Sequence, residues 1–212
     1  MHHLRLGAPV TAAKLVIFGC LIVAVILHEI SHGVVALFYG DDTAKRAGRL
    51  TLNPLPHIDP LGSIILPAMA VLGGFPFIGW AKPVPVNPMK LRDPRRQMLY
   101  VGLVGPLTNF GLMAISALAA RSMTDGPGID AHNVFEWFAY VNLFLGIFNL
   151  LPIPPLDGSA LIERVLPSRS LPAWYRFRPY GMLVLFVGVF YLDIFGTIID
   201  PFFEVLQDFI RT

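Results

Sequence analysis

Four apolar runs in this chain are long enough to cross a lipid bilayer, and they constrain its fold more than any other feature. They cover residues 15–39, interrupted by a polar group at 28–32, and residues 98–120, 134–151 and 181–199. A membrane helix needs about 20 apolar residues, and a helix bonds its backbone polar groups internally, as lipid requires. Only 14% of the residues are charged, against about a quarter in soluble domains. The sequence therefore predicts an all-α polytopic membrane protein with about four transmembrane helices, residues 1–212 forming a single membrane-embedded domain.

The polar group in the first run is an HExxH motif, His28-Glu29-Ile30-Ser31-His32. On a helix, residues four apart lie on one face, so both imidazoles can bind one zinc ion. Zinc lowers the pKa of a bound water toward neutrality, and Glu29 is placed to act as the general base on that water. Ionisable groups inside a membrane segment are costly and usually functional. This cost favours a metal site over the alternative, a polar helix end at the membrane interface.

A catalytic zinc needs a third protein ligand and an open position. No third histidine follows at the spacing of a three-histidine motif; the remaining histidines are His2, His3, His57 and His132. Asp157 is the best carboxylate candidate, because prolines at 152–155 break the helix before it and leave irregular backbone at membrane depth. Taken alone, an Asp-Gly pair after prolines also fits an ordinary turn. The missing third ligand favours Asp157 as a ligand.

These motifs resemble those of the site-2 protease family of intramembrane zinc metalloproteases. The resemblance rests on HExxH and on an NxxPxPxxDG sequence at 149–158, and segments 79–88 and 105–109 are also similar to family members. It implies Glu29 as the catalytic base and one zinc ion per chain. The zinc ligands that it implies are His28, His32 and Asp157, and the residues implied to support the substrate or transition state are Asn109 and Asn149. The chain is most similar to the small members, which have no PDZ or CBS domain.

The resemblance also implies membrane-anchored protein substrates, regulated intramembrane proteolysis and a location in the cell inner membrane. A fifth apolar run, 61–80, is broken by prolines and glycines and either re-enters the membrane or spans it as a fifth helix. With a re-entrant segment and the N-terminus outside, twelve of the sixteen Lys and Arg residues lie in cytoplasmic segments, as the positive-inside rule favours. We therefore predict re-entry and a cytoplasmic-side site, where a short β-hairpin could pair with an extended substrate.

Several function classes are excluded or less favoured. A net charge of +2 without a long basic run gives no reason to expect a nucleic-acid partner. Cys20 is the only cysteine, so an internal disulfide or a cysteine metal cluster is impossible. A metal transporter would need metal-binding residues along a path, often with inverted repeats. It stays an alternative, as does an inactive scaffold. His57 and Asp59 fit either a contact to a zinc ligand or a proline turn, and the oligomeric state stays open.

Overall fold

A computed structural model describes residues 10–59, 62, 81–126, 128–190 and 194–212. All regular elements in these ranges are helical. The α-helices are α1 Val10–Phe38, α2 Thr43–Arg46, α3 Pro94–Arg121, α4 Ala131–Leu150, α5 Ser159–Val165, α6 Leu171–Phe177, α7 Gly181–Phe190 and α8 Ile194–Arg211. Short 3-10 turns cover Leu55–His57, Pro88–Lys90, Ser168–Ser170 and Arg178–Tyr180. The predicted helical class is thus confirmed for the described chain.

Helices α3 and α4 begin where their sequences provide caps. Asp93 accepts a hydrogen bond from the Arg96 N–H at 3.3 Å, and Pro94 occupies the first turn, where its missing N–H costs nothing. Asp130 accepts from the Asn133 N–H at 3.0 Å, and the Asn133 amide oxygen accepts from the Asp130 N–H in return. Such a reciprocal pair satisfies two otherwise unpaired N–H groups, so the start of α4 is fixed.

Two of the described helices are long and apolar enough to cross a membrane, Ala12–Phe38 and Pro94–Arg121. Helix α4 has 20 residues and covers most of the apolar run at 134–151. It carries the polar residues Glu136, Asn142 and Asn149 and is not one of these two helices. The described chain therefore contains two candidate spans, and the predicted total of about four stays a prediction. The run at 61–80, with its predicted re-entry and hairpin, lies outside the described residues except for Gly62.

The predicted span at 181–199 includes residues 191–193, which lie outside the described residues. On either side of them, α7 covers Gly181–Phe190 and α8 covers Ile194–Arg211, and α8 continues through Pro201. Burial explains the length of α8, because Leu206 and Ile210 complete an apolar cluster with α3 and α4. The buried members of that cluster are Ala117, Ala120, Ala139, Leu143, Leu206 and Ile210. Leu206 and Ile210 thus pack α8 against α3 and α4, whereas Phe202 and Phe209 of the same helix are exposed.

The core consists of α1, α3 and α4, which pack on one another along much of their length. Small residues allow close approach, as is common between membrane helices. A side-chain carbon at Gly146 on α4 would lie 2.8 Å from the Phe110 ring of α3, and one at Gly102 on α3 would lie 2.8 Å from Ala160 of α5. These close approaches hold α4, α5 and the turn between them against α3, and the candidate site lies where this turn meets α1 and α3.

Candidate metal centre and active site

His28 and His32 lie one helical turn apart on the face of α1 that packs against α3. Their Nε2 atoms are 3.0 Å apart, and the rings meet edge to face with centroids separated by 4.7 Å. Both residues are buried, with exposures of 6% and 7%. Buried imidazoles need polar partners, and each ring has them at both nitrogens.

The third group comes from the turn that follows α4. The Asp157 Oδ2 atom lies 3.0 Å from His28 Nε2 and 3.2 Å from His32 Nε2. The turn is fixed by the Gly158 N–H, which donates to the Asn149 carbonyl at 2.7 Å, and by Pro154, which is fully buried. Gly158 sits against the carbonyl groups that end α4, where a side chain would overlap the Leu150 oxygen. The Asp-Gly pair therefore forms a turn, as the alternative interpretation of the sequence predicted, and this turn places Asp157 beside the two histidines.

These three groups fit a bound metal ion. Asp157 Oδ2 is enclosed and makes no hydrogen bond of acceptable geometry within the described chain, although two ring nitrogens lie about 3 Å away. Three ligand atoms that converge in this way, each within 3.0–3.2 Å of the other two, are expected where an ion sits between them. Tetrahedral zinc with bonds of about 2.0–2.1 Å places its ligand atoms about 3.3–3.4 Å apart, close to the observed separations. Asp157 is also the most open of the three side chains, at 22% exposure.

The outward-facing nitrogen of each imidazole is bonded to α3. His28 Nδ1 lies 2.6 Å from the Asn109 amide oxygen, and His32 Nδ1 lies 2.5 Å from the Val101 carbonyl oxygen. An oxygen acceptor at Nδ1 holds the proton on that nitrogen and leaves Nε2 free as a ligand, the arrangement usual for metal-binding histidines. The side chains are therefore pre-oriented for a metal by their surroundings.

Gly105 of α3 forms one wall of the site. A side-chain carbon there would lie 2.5 Å from His28 Cε1 and would also overlap His32 Nε2. Real carbon contacts are about 3.5–4.0 Å, so only glycine lets α3 approach α1 this closely. The GxxxN pattern at 105–109 thus combines a close approach with a hydrogen bond to His28.

Glu29 contacts an extended segment, residues 82–87, which we call the strap. Its Oε2 atom accepts a hydrogen bond from the Val84 N–H at 2.7 Å. The strap is anchored before Val84 as well, because the Lys82 N–H donates to the His57 carbonyl at 2.9 Å. The buried Arg49 guanidinium donates to the carbonyl groups of Lys82 and Pro83.

Asp41 anchors the other end of the strap. Its side chain is fully buried, and it accepts the Asn87 N–H at 2.6 Å. Burial alone would raise the pKa of this carboxyl group. Hydrogen bonds from the Thr43 hydroxyl and from the N–H groups of Asn87 and Thr43 outweigh that effect, and its pKa lies below the usual value. Two buried charged groups thus hold the backbone that contacts Glu29.

The remaining sequence-predicted residues fall into two groups. Asn109 is fully buried beside His28, whereas Asn149 donates to the Leu145 carbonyl of its own helix at 3.0 Å. Their support of a substrate stays a prediction. His57 is buried in its turn with Nε2 on the Thr51 carbonyl at 3.0 Å, and Asp59 accepts the Gly62 N–H at 2.7 Å. In both residues, these bonds fit the proline-turn interpretation.

Sequence reasoning missed several residues that support the site. They are Asp41 and Arg49, which hold the strap, and Asn142, which bonds to Asn109. A polar side chain inside an apolar run was a usable signal for Asn142, because such groups are costly in a membrane. Asp41 and Arg49 lie in a polar loop, and nothing local marks them as buried.

A helix with HExxH, completed by a carboxylate from a second element, has the two-histidine and carboxylate donor set of catalytic zinc peptidase sites. Comparison with known proteins gives the family. The model of peptidase family M50 matches residues 122–192. YwhC of Bacillus subtilis, named as a zinc metalloprotease, is 37% identical over 174 residues, which are 79% of this chain and 76% of YwhC. The chain belongs to the M50 family, the site-2 protease family, and is a membrane zinc metalloprotease.

Two further relatives agree with this assignment. Rip2 of Mycolicibacterium smegmatis, also named as a zinc metalloprotease, is 33% identical over 178 residues, covering 82% of this chain and 65% of Rip2. ARASP2 of Arabidopsis thaliana, named as a chloroplastic membrane metalloprotease, is 37% identical over 95 residues, covering 42% of this chain and 19% of ARASP2. No solved structure gives a significant match.

Proposed function

We propose that this protein hydrolyses peptide bonds of membrane-anchored proteins within or beside the bilayer, as a step of regulated intramembrane proteolysis. His28, His32 and Asp157 would hold one zinc ion, and Glu29 would be the general base. The observation that carries the proposal is the convergence of the three ligand atoms, with an enclosed carboxylate oxygen that no described hydrogen bond satisfies.

The chain's own residues divide the chemistry between them. Zinc, when bound, would supply Lewis-acid polarisation of the scissile carbonyl and a lowered pKa for water. Glu29 would take a proton from the attacking water and pass it to the leaving amine. The Val84 N–H donates to Glu29 Oε2 at 2.7 Å, and no hydrogen bond from the described residues occupies the other oxygen, which is therefore available for this transfer. The anchored strap orients Glu29 in the process.

A membrane-anchored substrate fits the surroundings of the site. HExxH lies in the interior of a 29-residue apolar helix, so a substrate bond must reach membrane depth to be cleaved. Zinc sites buried in this way favour substrates that are themselves in the bilayer. Water would reach the site past Asp157, the most exposed of the three candidate ligands.

We further propose that the protein lies in the cell inner membrane with its site toward the cytoplasm. Support comes from basic segments that meet at one end of the bundle. Lys90, before α3, donates to Asp42, after α1, at 2.7 Å. Arg95 at the start of α3 donates to the carbonyl groups of Arg164 and Leu166, which follow the Asp157 turn. The positive-inside rule favours the cytoplasm for this end.

The test combines zinc content and cleavage for one set of detergent-purified variants, with a transmembrane peptide containing a helix-breaking residue as substrate. Glu29→Gln should keep one zinc per chain and lose cleavage by about two orders of magnitude or more, the usual contribution of a general base. Asp157→Asn should lose zinc and cleavage together. Glu136→Gln is a matched control, since Glu136 bonds only Tyr140 on its own helix among the described contacts, at 3.3 Å.

Two results would contradict the proposal. If wild-type protein purified without chelators contained no stoichiometric zinc, the proposed metal centre would be wrong. If Glu29→Gln cleaved as fast as Glu136→Gln, Glu29 would not be the general base, whatever the zinc content of the two variants. If Glu29→Gln keeps its zinc and loses cleavage while Glu136→Gln still cleaves, the protein is an active peptidase and not only a metal-binding scaffold.

A further inference from the structure

Two asparagines lie at the centre of the three-helix core with no exposed surface, and the mechanism uses neither of them directly. Asn109 on α3 and Asn142 on α4 are both 0% exposed. An amide buried without hydrogen bonds costs several kcal/mol, so such residues need a compensating arrangement. The Asn109 Nδ2 group donates to the Asn142 oxygen at 2.9 Å, and the Asn142 Nδ2 group donates to the Phe138 carbonyl at 2.8 Å.

These bonds form a chain with one possible direction. The Phe138 carbonyl can only accept, so Asn142 must present Nδ2 to it and Oδ1 to Asn109. Asn109 must then present Nδ2 to Asn142 and Oδ1 to His28, 2.6 Å from its Nδ1. An oxygen at that position requires the proton of the neutral ring to be on Nδ1, which leaves the Nε2 lone pair directed at Asp157 and His32.

We infer that Asn142 is a positioning residue that selects the metal-binding tautomer of His28 through Asn109. The inference rests on the proposed role of His28 as a zinc ligand. Without Asn142, the Asn109 amide can rotate and place Nδ2 against His28. The ring would then carry its proton on Nε2, the atom that a metal needs.

His32 provides an internal contrast. Its Nδ1 faces the Val101 carbonyl directly at 2.5 Å. A backbone carbonyl cannot exchange donor for acceptor, so the tautomer of His32 is fixed without a relay. Only the His28 side depends on a rotatable amide, and only that amide has a second, buried amide that fixes its direction. Asn149, on the same helix as Asn142, donates to its own helix in the same way but bonds no other amide among the described residues.

The test is a double-mutant cycle on zinc affinity, measured by competition with a chromophoric chelator on the full-length protein in detergent. Asn142→Leu should weaken zinc binding by about 10- to 100-fold, the range for loss of a partner that orients a metal ligand. In an Asn109→Asp background, Asn142→Leu should change the zinc affinity by less than about threefold. Both oxygens of the introduced Asp accept hydrogen bonds, so His28 meets an acceptor in either orientation of that side chain and residue 142 no longer affects the tautomer.

Three further measurements make the result decisive. Asn142→Asp should bind zinc within a few-fold of wild type, because it keeps an acceptor for Asn109 and its protonated oxygen can donate to Phe138. Tyr140→Phe, which removes a hydroxyl two residues away on α4, controls for helix perturbation. Ring ¹⁵N shifts of His28 in zinc-loaded wild type should show the metal on Nε2 and the proton on Nδ1, a readout that needs no variant.

The outcomes separate the inference from the function on which it rests. Equal losses from Asn142→Leu in both backgrounds, or zinc-loaded wild type in which His28 carries no proton on Nδ1, would overturn the relay and leave the metal centre standing. Zinc affinity that is unaffected by His28→Ala would instead overturn the metal centre itself.

Discussion

Gly105→Ala is the substitution for which the structure gives the clearest expectation. The added carbon would lie 2.5 Å from His28 Cε1 and would overlap His32 Nε2, whereas carbon contacts are ordinarily about 3.5–4.0 Å. Neither ring can easily retreat, because Nδ1 of each is bonded to α3, the helix that carries the substitution. About 1 Å of separation must therefore open between α3 and the two histidines.

The expected loss of zinc affinity follows from how little displacement of its ligand atoms a metal site tolerates. Ligand distances are held within about 0.2 Å, so a displacement of about 1 Å removes at least one imidazole from the centre. Loss of an orienting partner alone costs about 10- to 100-fold in affinity. Loss of a ligand should exceed this, giving at least about 100-fold, or about 2.8 kcal/mol. Helix propensity acts in the opposite direction, since alanine is favoured over glycine by about 0.8–1.0 kcal/mol.

Gly111→Ala on the same helix is the matched control, because a side-chain carbon there meets nothing within 4 Å. Zinc dissociation constants would be compared for both variants, together with melting temperatures in the presence of zinc and of a chelator. We expect Gly111→Ala to keep wild-type affinity, and Gly105→Ala to lose its zinc-dependent stabilisation while its chelated form still melts cooperatively. Zinc affinity of Gly105→Ala within about threefold of Gly111→Ala would refute the geometry described for this wall of the site.

Two further predictions concern folding stability, measured by thermal unfolding in detergent. Asp41→Asn should destabilise by about 1–3 kcal/mol at neutral pH, because an amide has a single acceptor oxygen; with that oxygen on the Thr43 N–H, its NH2 group would face the Asn87 N–H. The pKa of Asp41 is lowered in the folded protein, so its contribution is present above the unfolded value of about 3.9 and is lost as pH falls through the folded pKa; a gap to wild type that did not narrow below about pH 3.9 would contradict this assignment. Gly158→Ala should cost about 1–3 kcal/mol, because its side chain would lie 2.5 Å from the Leu151 carbonyl oxygen. Gly19→Ala, with nothing within 4 Å, should be neutral, and equal melting temperatures for these two variants would contradict the tight turn.

The helices and the metal motif could be predicted from the sequence because both are local signals. Apolar runs at 98–120 and 134–151 match α3 and α4 to within a few residues at each end, and HExxH carries its own geometry through the four-residue helical repeat. Asp157 needed an argument from elimination, since its Asp-Gly pair is a turn in either interpretation. What local pattern could not give is the distance from this turn to α1, a contact across about 130 residues of chain.

The residues that sequence analysis missed or assigned differently share a physical cause. Asn109 and Asn142 are polar groups whose partners lie on other helices, so their spacing along the chain carries no information about the bond between them. From the sequence, Arg49 and Asp41 look like exposed loop charges. They are buried in the structure because they form hydrogen bonds with backbone carbonyl and N–H groups of the strap. The extension of α8 through Pro201 likewise depends on burial against α3 and α4, a tertiary effect that overrides the local break expected at proline.

The polar contacts around the site explain how an apolar helix bundle can hold a metal centre precisely. Packing of apolar side chains is close but non-directional, whereas metal ligands must be correct to within about 0.2 Å. Directional restraint at this site comes from a few buried polar groups: the Val101 carbonyl on His32, the asparagine pair on His28 and the Val84 N–H on Glu29. Each joins α1 to α3 or to the strap, and each would be costly to leave unpaired in an apolar core. The energetic cost of burying them makes any other register of α1 against α3 unfavourable, and the same bonds that orient the ligands therefore also select the arrangement of the helices.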